Sequence, residues 1–273
     1  MINSPYKLLL IDIDGTLLGR AGTILPEDRE AVTRARDLGI KVSLSTGRTP
    51  LSSLKIVNQL SLDGYHIFCD GALVSNPNQN KEAFVRPIRK AVVRRAIEFA
   101  HEHDINLELF STTYYLVEHE TWASEIRRQF FGIQATVVSF TNLWRREVII
   151  KGTLVVSSAE ERAKADSLCF QFKDDLDFSW TETPAYPGVD FLNIVAPGVS
   201  KGKALEALAS YLVIPLSEVM AIGDADNDIP LLATAGLSIA MGNASDEVKA
   251  VADYITLDID HGGVAAAINK FLL

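Results

Sequence analysis

The sequence predicts an α/β protein, a doubly wound parallel sheet with an α+β domain inserted into it. Three observations carry that prediction. Short apolar runs alternate with helix-forming segments in the first third of the chain and again in the last third. Several of these runs stop abruptly at acidic, hydroxyl or glycine residues. The stretch between them changes to a mixture of helices and paired strands.

The elements follow in order. Lys7 to Ile11 is an unbroken apolar run after one lysine, as in a strand covered on both faces. Pro26 to Leu38 carries helix formers, and Gly39 suits the helix end. Ile40 to Leu44 is a second strand, Pro50 to Leu60 a second helix and His66 to Cys69 a third strand. The middle reads as a helix over Arg89 to His103 and a strand pair at Asn106 to Phe110 and Tyr114 to Glu118. A helix from Glu120 to Phe131 and strands at Ala135 to Ser139 and Glu147 to Val156 come next. A helix from Ala159 to Lys173 and strands at Phe178 to Thr181 and Phe191 to Val195 complete it. Alternation then resumes: helix Lys201 to Leu212, strand Val219 to Ile222, helix Ile229 to Ala233 and strand Leu237 to Ala240. Helix Ser245 to Val251, strand Tyr254 to Thr256 and helix Val264 to Phe271 finish the chain. The expected architecture is a Rossmann-like core of residues 1–83 and 191–273, interrupted by an inserted domain of residues 84–190.

Bulk properties narrow the function classes. The 273 residues are 48% hydrophobic and 22% charged, so there is enough apolar surface to fold and disorder is not expected. A net charge of −9 argues against nucleic acid as a partner, since phosphate-tracking proteins carry basic stripes. It leaves room for an anionic ligand, because a bound cation reverses the local field. No run approaches the roughly 18 apolar residues of a membrane span, and no signal peptide is visible, so a cytoplasmic protein is expected. Cys69 and Cys169 sit in apolar surroundings and read as buried thiols. The basic residues around Val92 and Val93 read as one solvated helix face, and His101 and His103 fall on different faces of that helix.

Polar groups cluster where predicted strands end, which is where open α/β sheets bind ligands. Asp12-Ile13-Asp14-Gly15-Thr16 follows the first strand. Residues two apart on a strand end point the same way, so Asp12 and Asp14 are expected to converge, and a hard cation such as Mg²⁺ would relieve that crowding. Ser45-Thr46-Gly47-Arg48 joins hydroxyls, a glycine and a helix start, the ingredients of an anion cradle. Lys201 opens a helix, a position the helix dipole disfavours for a cation, so neutralisation of a phosphate is one reason for it. Gly223-Asp224-Ala225-Asp226-Asn227-Asp228 sets acids after a buried strand, with Asp224 and Asp228 placed to face a cation. The spacing does not match an EF-hand.

Taken in order, Asp12-x-Asp14-Gly15-Thr16, Thr46-Gly47-Arg48, Lys201 and Gly223-Asp224-x-x-Asn227-Asp228 resemble the four motifs of the haloacid dehalogenase superfamily. The insertion, Gly198 to Gly202 and Ala240 to Ala244 look like its Cof-type branch of sugar-phosphate phosphatases with a type II cap. The resemblance implies a Mg²⁺-dependent phosphatase acting on a small phosphorylated metabolite. In it Asp12 is the nucleophile that becomes phosphorylated, and Asp14 is the acid and base, with a raised pKa supplied by crowded acids. It implies metal ligation by Asp12, the main-chain carbonyl of Asp14, Asp224 and Asp228, the last through water or Lys201. Thr46, Gly47, Lys201 and Asn227 would bind the phosphoryl group. The inserted domain would act as a cap, with Arg48, Asp190 and Asn193 as substrate contacts. The family commonly has Asn before the glycine at position 71, whereas this chain has Asp70. A phosphomutase and a non-catalytic sugar-phosphate sensor share the scaffold and remain alternatives at this point. A monomer or weak homo-oligomer is expected.

Overall fold

The computed structural model describes residues 4–19, 22–182 and 186–273. Residues 1–3 and 20–21 of the expected core, and 183–185 of the expected insertion, lie outside the described residues. The chain begins with β1 (Leu8–Asp12), α1 (Pro26–Asp37), β2 (Lys41–Ser45), α2 (Pro50–Gln59), β3 (His66–Phe68), β4 (Leu73–Asn76) and β5 (Lys81–Val85). The middle holds α3 (Lys90–Glu102), β6 (Glu108–Ser111), β7 (Tyr115–Val117), α4 (Trp122–Ile126), β8 (Thr136–Val137), α5 (Leu143–Arg146), β9 (Ile149–Val156), α6 (Ala159–Phe172), β10 (Asp177–Glu182) and β11 (Asp190–Val195). The end holds α7 (Lys201–Leu212), β12 (Val219–Gly223), α8 (Ile229–Thr234), β13 (Leu237–Ala240), α9 (Asp246–Ala250), β14 (Tyr254–Ile255) and α10 (Gly263–Phe271).

Two compact units result: Met1–Arg48, Leu54–Phe84 and Ser200–Leu273 form the first, and Thr49–Ser53 with Val85–Val199 form the second. The return crossing lies at Val199–Ser200, not at residues 190–191 as the sequence reading has it. The reason is pairing: β11 is hydrogen-bonded between β10 and β9, so the whole strand belongs to the second unit's sheet.

The first unit is built on an eight-stranded sheet of order β14-β13-β12-β1-β2-β3-β4-β5. The strands from β14 to β3 run parallel, and β4 turns back antiparallel to β3. The side-chain period of two sends Leu9 and Ile11 of β1 to one face, where α1, α2 and α10 supply Val32, Val57 and Ile268. Leu8 and Leu10 go to the other face, against Leu205 and Leu208 of α7 and Leu231 of α8. Burying each of these side chains contributes roughly 1.5–3 kcal/mol. Pro26 at the start of α1, with Glu27 and Asp28 in its first turn and Arg34 and Arg36 in its last, complements the helix dipole. Because β1 lies between β2 and β12, the carboxyl ends of these three parallel strands, Asp12, Ser45 and Gly223, share one sheet edge. The chain order reverses there, the place where such sheets take ligands.

The second unit is a six-stranded sheet of order β10-β11-β9-β6-β7-β8, antiparallel except for the β7–β8 pair. Val92 and Val93 of α3 and Leu168 and Phe172 of α6 pack on one of its faces. Ser158 caps α6 by accepting from the Glu161 amide at 3.2 Å. The expected helix over Glu120 to Phe131 is α4 followed by a π-turn from Arg127 to Phe131. The strands β4 and β5 and the short α5 do not appear in the sequence reading.

Candidate active site

Asp12 is the last residue of β1 and shares the face of Leu8 and Leu10, where it is 4% exposed. After it the chain turns sharply. Gly15 takes φ +92°, and a side chain there would overlap the carboxylate of Asp224, so both conformation and space demand glycine. Thr16, fully buried, donates its hydroxyl to Asp224 Oδ1 at 2.6 Å. Leu17 and Leu18 return their amides to Ile13 O at 3.0 and 2.7 Å, which fixes the loop.

Asp14 is not in the group of carboxylates that Asp12, Asp224 and Asp228 form, although its charge acts on Asp224. The strand ends at Asp12, the turn at Gly15 redirects the chain, and the Asp14 side chain is half exposed. Arg48 holds it from the other side, donating Nε at 2.7 Å and Nη2 at 2.6 Å to the two carboxylate oxygens. Arg48, expected to contact substrate, is thus engaged with Asp14. Neighbouring acids crowd Asp12 and Asp224, with Asp14 among those acting on Asp224.

The carboxylates that gather around Asp12 come from the far end of the chain. Ligand oxygens of Asp12, Asp224 and Asp228 lie within 4.8 Å of one another. Lys201, the first residue of α7, is 1% exposed and donates Nζ to Asp12 Oδ1 and to Asp228 Oδ1, both at 2.6 Å. Ser200 caps this helix by accepting from the Lys203 amide at 3.2 Å. Asp228 Oδ2 accepts from the amides of Asp224 (3.0 Å) and Ala225 (3.1 Å), so this buried acid ties its own loop to Lys201.

The electrostatics follow from burial. Desolvation, then Asp228, pushes the Asp12 pKa well above the usual carboxylate range, with Lys201 pulling the other way. Asp224 is pushed up to about 7, chiefly by burial and also by Asp228, against the hydrogen bond from Thr16. Burial lowers the Lys201 pKa, but Asp12, Asp228 and Asp70 more than reverse that, and the ammonium stays charged. The cluster is short of positive charge even with Lys201 in place.

Thr46 is buried just after β2, next to Ser45, the register partner of Asp12, and its Oγ1 accepts from the Arg48 amide at 3.1 Å. Asn227, in the 3-10 turn after β12, donates Nδ2 to Asp70 Oδ1 at 2.9 Å. Two further residues shape the site without a role in the sequence reading, Thr16 and Asn243. Asn243 donates Nδ2 to Gly15 O at 2.9 Å and accepts from the Ile259 amide at 3.0 Å, bracing the turn after Asp12. A buried hydroxyl two residues after paired acids is the sequence signal for Thr16. For Asn243 the signal is its place in Ala240 to Ala244, the segment that resembles the Cof-type branch, whereas its partners are remote in sequence.

Asp190 and Asn193 both lie on β11 in the second unit, three residues apart and so on opposite sheet faces. Asp190 pairs with Arg162 at 3.3 Å, and Asn193 donates to Thr181 Oγ1 at 3.0 Å.

Comparison with known proteins adds an independent line. Residues 9–268 match a family described as haloacid dehalogenase-like hydrolase. Phosphatase YwpJ of Bacillus subtilis is 28% identical, the alignment covering 97% of this chain and 100% of that one. The 5-amino-6-(5-phospho-D-ribitylamino)uracil phosphatase YcsE of the same organism is also 28% identical, over 98% of this chain and 96% of that one. Among solved structures, the sugar phosphatase BT4131, described as subclass IIB of this superfamily, superposes with a TM-score of 0.76 at 27% identity, covering 97% of this chain and 98% of that one. Among the described residues no helix is long and apolar enough to cross a membrane.

Proposed function

The chain belongs to the haloacid dehalogenase-like hydrolases and is a phosphatase of the sugar-phosphate and small-metabolite type, and from that premise we propose that it hydrolyses its substrate through a phosphorylated Asp12 with Mg²⁺ as cofactor. The supporting observation is the placement of Asp12: a buried carboxylate at a strand end, held by Lys201 and crowded by Asp224 and Asp228.

Asp12 attacks phosphorus, so an O–P bond to its carboxylate forms as the bond to the leaving alcohol oxygen breaks. Asp14, oriented by Arg48, gives its proton to that oxygen. In the second half Asp14 takes a proton from a water that attacks phosphorus, and the Asp12–phosphorus bond breaks to return the carboxylate and release inorganic phosphate. Splitting one difficult displacement into two is the gain from a carboxylate nucleophile. Thr46, the Gly47 amide and Lys201 bind the phosphoryl oxygens, and Asn227 lines the same site, so positioning and charge neutralisation carry the rate.

The donor set fits a hard divalent cation. It is all oxygen, closely grouped, and its acids are pushed toward the protonated form by one another and by burial. Asp12, Asp224 and the main-chain carbonyl of Asp14 would hold Mg²⁺, with Asp228 in support. Bound there, the ion would neutralise charge on the transferring phosphoryl group. A sugar phosphate is the class favoured by the likeness to BT4131.

The test is a phosphate-release screen over phosphorylated metabolites, run beside Asp12→Asn. The variant is expected to fold and to lose nearly all turnover. If it keeps more than about one tenth of the wild-type rate, the covalent route is wrong, because losing a nucleophile costs far more than that elsewhere. Free phosphate accumulating without transfer to a second hydroxyl separates hydrolysis from a mutase reaction. Tight binding with no turnover would mark a sensor.

A further inference from the structure

Cys69, Asp70 and Gly71 form a single 3-10 turn after β3 that closes against the site's other segments. Cys69 and Asp70 both take the left-handed backbone region, φ 51° and 56°, which opposes their Cβ sterics and persists only where surroundings enforce it. Several enforcing partners come from the site. The Cys69 amide donates to Arg48 O at 2.9 Å, and the Asp70 amide donates to Thr46 O at 3.1 Å. A side chain on Gly71 would overlap the Ser200 carbonyl and come within 3.1 Å of the Lys201 amide, so the turn also abuts the start of α7. Asn227 reaches Asp70 from the acidic loop, Nδ2 to Oδ1 at 2.9 Å. The two Asp70 oxygens lie 2.8 and 3.1 Å from where a Cβ on Gly47 would project.

Resting on the phosphatase reading above, we propose that Asp70 is a positioning residue of the phosphoryl site: it fixes the Asn227 amide, and its negative charge weakens the hold on inorganic phosphate. A carboxylate accepts and never donates when ionised, so it selects the Nδ2 side of Asn227 and turns Oδ1 the other way. The same charge stands beside Gly47, within the segment that cradles the anion. Like charges there lower the affinity for phosphate without removing a donor, which favours release of the product formed when the Asp12–phosphorus bond is hydrolysed.

Two variants separate the effects. Asp70→Asn keeps an oxygen acceptor for Asn227 and removes the charge. Asp70→Ala removes both, and circular dichroism and a melting curve check that it folds. Inorganic phosphate is titrated into each protein by calorimetry in Mg²⁺, and kcat and KM are measured on the best substrate of the screen. Asp70→Asn should bind phosphate about fivefold more tightly than wild type. Asp70→Ala should lower kcat about tenfold or more, and adding Asn227→Ala should cost little further, since the two act as one unit. A phosphate constant for Asp70→Asn within twofold of wild type overturns the charge role, and additive effects of Asp70→Ala and Asn227→Ala overturn the positioning role. If wild type binds phosphate yet turns over nothing in the screen, the phosphatase reading fails, while the titration still decides the effect of the Asp70 charge.

Discussion

Replacing Lys201 with Met removes the ammonium that lies between Asp12 and Asp228 and keeps much of its aliphatic bulk. Both contacts are 2.6 Å, and the lysine is 1% exposed. Breaking a buried ion pair from one side costs about 3–5 kcal/mol, because the remaining charge has lost both water and partner. Here two carboxylates are left behind, with Asp224 close by, so the upper part of that range is expected. At roughly 2–4 °C per kcal/mol for a chain of this size, the melting temperature should fall by about 10 °C or more. Circular dichroism follows the loss of structure in the chain. Added Mg²⁺ should raise the variant's melting temperature more than the wild type's, since the cation replaces missing positive charge. A destabilisation below about 1 kcal/mol, or an equal response to Mg²⁺, would refute the view that Lys201 neutralises this cluster.

Chelation with EDTA should abolish turnover and also lower the wild-type melting temperature, with Mg²⁺ restoring both; a melting curve indifferent to the ion would defeat the ligand assignment. Asp28, 1% exposed in the first turn of α1, accepts from the Ala265 amide at 2.7 Å and is pushed up to about 6 by burial, against that hydrogen bond and helped by Glu27. An acid whose pKa is higher folded than unfolded disfavours folding once ionised, so its stability contribution is best below about pH 4 and declines as pH rises to about 6. Asp28→Asn should therefore stabilise the protein by about 1–3 kcal/mol at pH 7.5, with the gain vanishing toward pH 4. A gain that does not change with pH in denaturant titrations would count against this assignment.

The parts of the fold legible in the sequence are those governed by local patterning. The alternation of Leu8 to Ile11 with helical segments, and the acids that end β1 and β12, are properties of a few adjacent residues, and the sheet follows from them. The strands β4 and β5 are short, and the latter is only partly buried, so neither shows the apolar run that marks β1 or β12. The crossing at Val199–Ser200 was equally hidden. Apolar residues of Asp190–Val195 fit either sheet, and only the pairing with β9 and β10 assigns them.

By itself the sequence determined which residue types would stand at the carboxyl ends of the strands: Asp12, Asp14, Thr46, Gly47, Lys201, Asp224, Asn227 and Asp228 are each placed by a strand or helix boundary. Which of them meet was decided by the tertiary structure. Strand periodicity paired Asp12 with Asp14, but the alternation stops where the strand stops, at Asp12, and the Asp14 carboxylate pairs with Arg48 outside the group of Asp12, Asp224 and Asp228. The partners of Asp12 instead come from 189 and 216 residues away, brought in because β12 and the start of α7 pack beside β1 (Asp12 to Lys201 and to Asp228). Periodicity carries information only along one continuous element, and a site assembled from three strand ends and a helix start is specified by how those elements pack.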